Sequence, residues 1–253
     1  MLRAMKIISI LLKIPVLKRL LPSIIRRILI LFKKEIFEIK FKNLILETNI
    51  KDPHDREIFF TQRYEDRQFK EIFKIINANN IEIFFDIGAN SGIYSLLLAL
   101  RFNTINIQAF EPIETTYNKF LKNIKRNNLE KRINAYNFGL SNKNKILKMG
   151  TNIKFGYEQS AGYFVSDEGT REAVFKKADD IILYKNKNIF LKIDTEGHEA
   201  SVLMGMDNLI KNNNVFIQIE IWKTNYEKVI NILNGYNLKF CKKINNDYYF
   251  AKL

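Results

Sequence analysis

A single cysteine, Cys241, stands in the whole chain, which excludes an internal disulfide framework and a cysteine-built zinc site. That usage suits a reducing compartment, and a cytoplasmic protein is expected. Long apolar runs are missing too. Within residues 7–32 the longest uncharged stretches are Ile7–Leu12, Leu20–Ile25 and Ile28–Phe32. All fall well short of the roughly 18 apolar residues that mark a candidate membrane span. No longer apolar region ending in a small-residue cleavage site is present, so no secretory leader is expected. No G-x-x-x-x-G-K-[ST] run exists, which argues against a P-loop. Acids are absent from residues 1–34, and no internal repeat or low-complexity linker is visible.

What those first 34 residues do hold is nine cations: Arg3, Lys6, Lys13, Lys18, Arg19, Arg26, Arg27, Lys33 and Lys34. The chain's formal net charge is +14, so the remaining residues carry only +5, too mild to make nucleic acid the default partner. At helical spacing Lys13, Arg19, Arg26, Arg27 and Lys33 share one broad sector, with Leu and Ile filling the rest. That is the pattern of a helix lying in the headgroup region of an anionic membrane. Packing on the domain or on a second subunit is the alternative. Pro15 and Pro22 are expected to break or bend the helix. Residues 1–34 are therefore read as a basic amphipathic helical extension and 35–253 as the main domain.

Phe37–Phe41 alternates like a strand, and residues 62–77 carry a helical stripe of Phe69, Ile72, Phe73 and Ile76. A strand–loop–helix rhythm then begins. Strands are expected at Ile81–Phe85, Ile105–Phe110, Ile133–Asn137, Ile189–Ile193 and Val215–Ile221. Helices are expected at Ile93–Phe102 and around Tyr117, Phe120, Leu121 and Ile124. Tyr236–Phe240 and Tyr248–Ala251 read as a closing hairpin. Buried strands alternating with helices predict a doubly wound, mostly parallel α/β sheet ending in an antiparallel hairpin. Residues 141–188 read as one long irregular loop in which Gly150, Gly156, Gly162 and Gly169 interleave with Phe155, Tyr157, Tyr163 and Phe164.

Two runs carry chemistry. In Phe85-Asp86-Ile87-Gly88-Ala89-Asn90-Ser91-Gly92 an apolar strand ends in a carboxylate, and two glycines let the backbone turn beside a ligand. Glu111, 25 residues on, ends the next strand, where it can take both hydroxyls of a ribose. Together they read as nucleoside recognition, with a plain tight turn as the alternative. A dinucleotide fingerprint fits less well, because Asn90 stands where G-x-G-x-x-G has its second glycine. The second run is Leu191-Lys192-Ile193-Asp194-Thr195-Glu196-Gly197-His198-Glu199. It brings Asp194 to the same sheet edge, and Glu220 ends the fifth strand there. Clustered carboxylates repel unless a proton or cation is shared. Asp194, Glu196, His198 and Glu220 could ligate a metal, but no defined ligand spacing is met, so none is expected. His198 as an ordinary helix-start histidine is an equal alternative to a base.

The runs DIGANSGIYS, AFEP and LKIDTEGHEASVLMGM closely resemble the FkbM family of class I methyltransferases, in a similarity covering about residues 60–225. Asn127–Leu129, FGLS at 138–141 and QIE at 218–220 fall in the expected order. The resemblance implies a Rossmann-like fold, S-adenosylmethionine as methyl donor and, commonly, hydroxyl acceptors on sugars or secondary metabolites. It implies that Asp86, Gly88, Ala89, Asn90 and Gly92 cradle the methionine end, that Glu111 holds the ribose and that Phe138 lies near the adenine.

The expected activity is in-line methyl transfer to an oxygen (a hydroxyl or a phosphate-type oxygen) of a bacterial surface glycan or its precursor. His198, Glu196 or Asp194 is the candidate base, and Tyr157, Tyr163 or Phe164 is suited to stacking on sugar. A peripheral position at the inner face of the membrane would join the helical extension to such acceptors. RNA methylation is the rival, although no N-P-P-[YF] base-amine motif is present. A non-catalytic nucleoside-binding adaptor is the third reading.

Overall fold

A computed structural model describes residues 15–154 and 157–252, without the side chains of 15–20, 154 and 157–161. Helix α1 (Pro15–Leu31) is followed by the hairpin of β1 (Ile36–Phe41) and β2 (Leu44–Asn49), then by α2 (Pro53–Thr61) and α3 (Asp66–Asn79). The doubly wound part is β3 (Ile83–Ile87), α4 (Ile93–Arg101), β4 (Asn106–Phe110), α5 (Glu114–Arg126) and β5 (Ile133–Tyr136). It resumes with β10 (Asn188–Ile193), α7 (Glu199–Met204), α8 (Asp207–Lys211), β11 (Asn214–Glu220) and α9 (Tyr226–Gly235). It closes with β12 (Leu238–Ile244) and β13 (Asp247–Lys252). Between the two parts lie β6 (Gly139–Ser141), β7 (Lys145–Lys154), β8 (Tyr157–Val165), β9 (Arg171–Lys177) and the short α6 (Ala178–Ile181).

The central sheet has seven strands in the order β12-β13-β11-β10-β3-β4-β5. The five from β11 to β5 run parallel, and β13 is antiparallel to both its neighbours. Side chains alternate across a strand, so Phe84 faces one helical layer and Phe85 the other, and both are fully buried. The first layer joins α2, α3, α4, α5 and the β1–β2 hairpin, and the second joins α7, α8 and α9. The chain order along the sheet reverses between β3 and β10. A crevice opens at such a switch point, beyond the carboxyl ends of the strands.

Two expectations are corrected. The stretch read as one long loop holds a four-stranded sheet, order β6-β9-β7-β8. Its inward side chains Met149, Ala173 and Phe175 form a small core with Ile113, while Ile146 and Val174 pair on the outer face. Its glycines mark close contact within that sheet: a Cβ on Gly169 would lie 2.4 Å from the Met149 backbone. The N-terminal helix also continues through Pro22 without a break. An interior proline removes one hydrogen-bond donor, and helix packing against a core can offset that loss. Leu21, Ile25, Leu29 and Ile30 rest on the first layer. Ile24, Ile28, Leu31 and Phe32 face outward, and residues 1–14 lie outside the described part.

Candidate functional site

Strand β3 delivers Asp86 into the interior, where Ser95 at the start of α4 donates from its N–H (3.2 Å) and Oγ (2.7 Å) to Oδ2. Gly88 follows in the left-handed region, with φ 82°. A Cβ there would lie 1.9 Å from the Asp194 carbonyl oxygen, so the loops after β3 and β10 touch across the switch point through a glycine surface. Asn90 also has positive φ, and its N–H donates to Glu111 Oε2 (2.9 Å). Ile113 N–H donates to Glu111 Oε1 (2.8 Å). The Glu111 carboxylate is therefore aimed by the backbones of two loops. Burial raises its pKa to about 7 against the opposing pull of those two donors.

Across the crevice, Lys192 is a cation inside the fully buried strand β10. Its Nζ lies 3.0 Å from Asp194 Oδ2, 4.0 Å from Asp86 Oδ1 and 4.6 Å from the Tyr94 ring centroid. Burial alone would lower the lysine pKa, but Asp194, Asp86 and Glu65 together raise it. Burial likewise opposes ionisation of Asp194, and Lys192 overrides it, holding the carboxylate below the usual range. Glu220 is pushed up to about 8 by burial and by the Asp194 charge, and it hydrogen-bonds Asp194. Asp194 and Glu220 thus act as a pair in which Glu220 keeps the proton. Glu196, at φ 51°, is raised to about 8 by burial and the Asp194 and Glu199 charges. Glu199 is the loop's organiser: its Oε1 accepts from Thr195 N–H, Thr195 Oγ1 and Gly197 N–H.

His198 lies beyond, with Nε2 2.9 Å from Ser141 Oγ and its ring edge-on to Phe175. Burial, then Lys145 and Lys228, lowers its pKa to about 4, so the ring is neutral at physiological pH. Gly88, Ala89, Asn90, Glu111, Asp194, Glu196, His198 and Glu220 all line one cavity. Asp86 and Gly92 stand behind that wall. Phe138 is not among the lining residues; its ring packs on Phe110 and Tyr136, under Lys176 Nζ at 4.4 Å. Of the aromatics read as a sugar platform, Tyr163 lines the cavity and Phe164 does not, while the Tyr157 side chain lies outside the described part. Among the described residues, no group of three or more His, Cys, Asp or Glu side chains is placed to hold a metal ion.

The same cavity has walls that the motifs did not announce: His54, Tyr64, Glu65, Tyr94 and Lys192, with Met149, Val165 and Phe175 from the inserted sheet. Lys192 had a visible signal, a lysine inside an apolar strand run, since a charge there needs a partner. His54 and Asp55 reach the cavity from α2, whose first turn is capped by Asp52 accepting from their N–H groups, with Pro53 at the first helical position.

A nucleoside bearing an amino acid fits this arrangement. Asn90 Oδ1, in the cavity wall, is a buried acceptor with no hydrogen-bond partner among the described residues, and Glu111 lines the same wall with its carboxylate fixed by two backbone N–H groups. The sequence from Asp86 onward, residues 86–242, matches the methyltransferase FkbM domain. The chain belongs to the FkbM methyltransferase family. The sheet that carries this domain is doubly wound and mostly parallel. A relative, the hexuronic acid methyltransferase AglP of Haloferax volcanii, is 27% identical over 149 residues, 57% of each chain. This FkbM methyltransferase therefore spans little more than half the length of that relative. Among solved structures, human methyltransferase 10 domain containing protein superposes with a TM-score of 0.49 at 13% identity, over 91% of this chain and 95% of its own. The M. jannaschii TYW2 structure in complex with AdoMet superposes with a TM-score of 0.43 at 11% identity, over 86% and 84%.

Proposed function

We propose that this methyltransferase acts on oxygen, at a hydroxyl of a surface glycan or its precursor. The observation that carries the reading is one cavity with two unlike ends. One end is the Gly88–Asn90 and Glu111 cradle. The other is lined by the carboxyl groups of Glu65, Asp194, Glu196 and Glu220, while Tyr163 joins the wall from the inserted sheet, packed on the cluster of Ile113 and Met149. When bound, S-adenosylmethionine supplies an electrophilic methyl on a sulfonium. In this reading the Gly88–Asn90 loop, braced from behind by Asp86, receives its amino acid portion, and Glu111 accepts from the ribose hydroxyls with the lone pairs its backbone donors leave free. The acceptor hydroxyl rests among the carboxyl groups and loses its proton there. Aromatic faces suit the apolar faces of a sugar, and the Tyr163 ring supplies one. The relative named for a hexuronic acid supports a glycan acceptor.

Attachment to an anionic membrane surface belongs to the same proposal, together with the division into an extension at 1–34 and a domain from 35 on. Its support is the outward face of α1. Ile24, Ile28, Leu31 and Phe32 are exposed there beside Arg27, Lys33 and Lys34. Among the described residues no helix is long and apolar enough to cross a membrane. Arg26 of α1 lies near enough to α2 that, after burial, its charge is the next cause lowering the Arg56 pKa. The outward face of α1 is thus anchored next to the helix that brings His54 and Asp55 to the cavity.

The test is incubation of the full chain with methyl-labelled donor and the polysaccharide, lipid and RNA fractions of the source cells. Base-stable label in the polysaccharide or lipid-linked glycan fraction is expected. Label in RNA would transfer the reading to the rival acceptor, and base-labile label would indicate a carboxylate rather than a hydroxyl.

A further inference from the structure

The segment Gln62–Glu65 joins α2 to α3 and carries two residues in the left-handed region, Gln62 at φ 54° and Glu65 at φ 43°. A non-glycine residue in that region costs on the order of 1–3 kcal/mol and persists where the surroundings fix it. Glu65 stands at the N-cap of α3 yet makes no capping hydrogen bond with its side chain. The side chain turns into the cavity instead, where Tyr94 Oη donates to its Oε2. Gln218 Nε2 donates to Tyr94 Oη (3.3 Å) and to Asp247 Oδ1 (2.8 Å), and Gln68 Nε2 holds Asp247 Oδ2 (3.0 Å). Tyr94 is buried and stacks on Phe69 at 4.3 Å between centroids. A carboxylate is thereby oriented by a phenol, itself oriented by an amide. A base held by a second group and a third is the arrangement that proton abstraction requires.

We propose that Glu65, oriented by Tyr94 and Gln218, is the catalytic residue that takes the acceptor's proton. This rests on the oxygen-acceptor reading above. It also replaces the candidates drawn from the 194–199 run. Asp194 is engaged by Lys192, Glu220 keeps the proton it shares with Asp194, and His198 is turned to Ser141. Glu196 lines the cavity with no side-chain hydrogen bond among the described residues to fix its direction. Glu65 and Tyr64 both precede the stretch that defines the family.

The step balances as follows. A lone pair of the acceptor oxygen forms the new bond to the methyl carbon, while the sulfur–methyl pair stays on sulfur. The hydroxyl proton passes to Glu65 and leaves to water after product departs. Charges facing Glu65 come from several elements. Lys192 on β10 favours the ionised form, and so does the Tyr94 hydrogen bond from α4. Asp194 after β10 and Asp247 on β13 oppose it, together with burial, which is the largest influence. Their sum brings the Glu65 pKa to about 7. Activity should therefore rise with pH through that value, since only the ionised carboxylate can accept a proton.

The experiment compares the full-length wild type with Glu65→Gln, Tyr94→Phe and Glu196→Gln, using labelled donor and the polysaccharide fraction. A second measurement is carbon-13 NMR of the glutamate carboxyl carbons, and a third is calorimetric titration with S-adenosylhomocysteine. Glu65→Gln is expected to lower turnover by about 10²–10⁴-fold with S-adenosylhomocysteine affinity within about twofold. It should also remove one carboxyl resonance titrating near neutrality and the rising limb of the pH profile. Tyr94→Phe removes a donor that favours the carboxylate, so resonance and limb should both move to higher pH. Wild-type turnover in Glu65→Gln, or an unmoved limb in both variants, overturns the proposal. So does transfer of the whole effect to Glu196→Gln. If the wild type labels no glycan and labels RNA instead, both this inference and the acceptor reading fall. If the wild type labels glycan and Glu65→Gln does so equally, the inference alone falls.

Discussion

On the side proposed for the donor, the cavity is shaped chiefly by backbone. Gly88, Asn90 and the N–H groups that hold Glu111 come from two loops at the ends of adjacent parallel strands, 25 residues apart in the chain. On the acceptor side it is made of side chains: Glu65 from the turn before α3, Tyr94 from α4, Lys192 from inside β10, Glu220 from the end of β11 and Tyr163 from the inserted sheet. A backbone cradle tolerates little change because glycine space and N–H direction define it. A side-chain wall can be rebuilt one residue at a time around a different acceptor. The backbone half is thus suited to a donor that stays the same, and the side-chain half to an acceptor and a base that can change together.

The sharpest way to break that comparison is at Lys192, whose charge serves both halves. Lys192→Met leaves the buried Asp86 and the half-buried Asp194 without their cation, and should destabilise the protein by about 3 kcal/mol at neutral pH, read by urea unfolding. Asp194, held below its ordinary pKa, adds stability above about pH 4, and that stability is lost as pH falls through its folded value. Lys192, raised in the folded state, adds stability below about pH 10 that is lost as pH climbs past its folded value. The wild-type advantage should therefore shrink at both extremes. An equal advantage at pH 3 and pH 7 would refute the pairing.

Within the donor half, Glu111→Ala should weaken S-adenosylhomocysteine binding by on the order of 2–4 kcal/mol in calorimetric titration, and lower the melting temperature as the Asn90 and Ile113 N–H groups lose their acceptor. Unchanged affinity in the folded variant would remove Glu111 from ribose recognition. Gly88→Ala tests the backbone itself. Left-handed strain should cost on the order of 1–3 kcal/mol, and the collision with the Asp194 carbonyl should displace the loop and reduce donor binding. Wild-type donor affinity in that variant would show that the two loops need not touch. The smallest effect is expected far from both halves. Replacing exposed Leu31 and Phe32 by Asp should lower flotation with phosphatidylglycerol vesicles by about tenfold, and salt should release the wild type. Full-length protein that ignores anionic vesicles would end the membrane reading.

The residues read in the sequence at the ends of β3 and β4 do meet at one cavity, because each of those features is local. A strand ending in Asp86, two glycines in five residues and an acid one strand later are patterns readable in order along the chain. The acceptor half was legible only in part. Asp194, Glu196, His198 and Glu220 were visible as a polar run and a strand end. Glu65 was not, since an acid between two helices resembles any helix-start acid until its φ and its Tyr94 partner are known. The inserted sheet was missed for a related reason. Glycines spaced through 150–169 imitate a loop, whereas here they admit close strand contacts that depend on residues distant in the chain. At α1, the pattern of cations and apolar residues was legible, but which apolar residues turn to the core is fixed by tertiary packing.

The excess of carboxyl groups over cations along the cavity bears on turnover after the chemistry is finished. S-adenosylmethionine carries one net positive charge, whereas S-adenosylhomocysteine carries none. Glu196 and Glu220 hold their protons up to about pH 8 and Lys192 offsets Asp194, so this wall carries little net charge at neutrality and turns anionic as the pH rises. Preference for the cationic molecule over the neutral one should therefore grow with pH, readable as the ratio of their dissociation constants at about pH 6.5 and about pH 9.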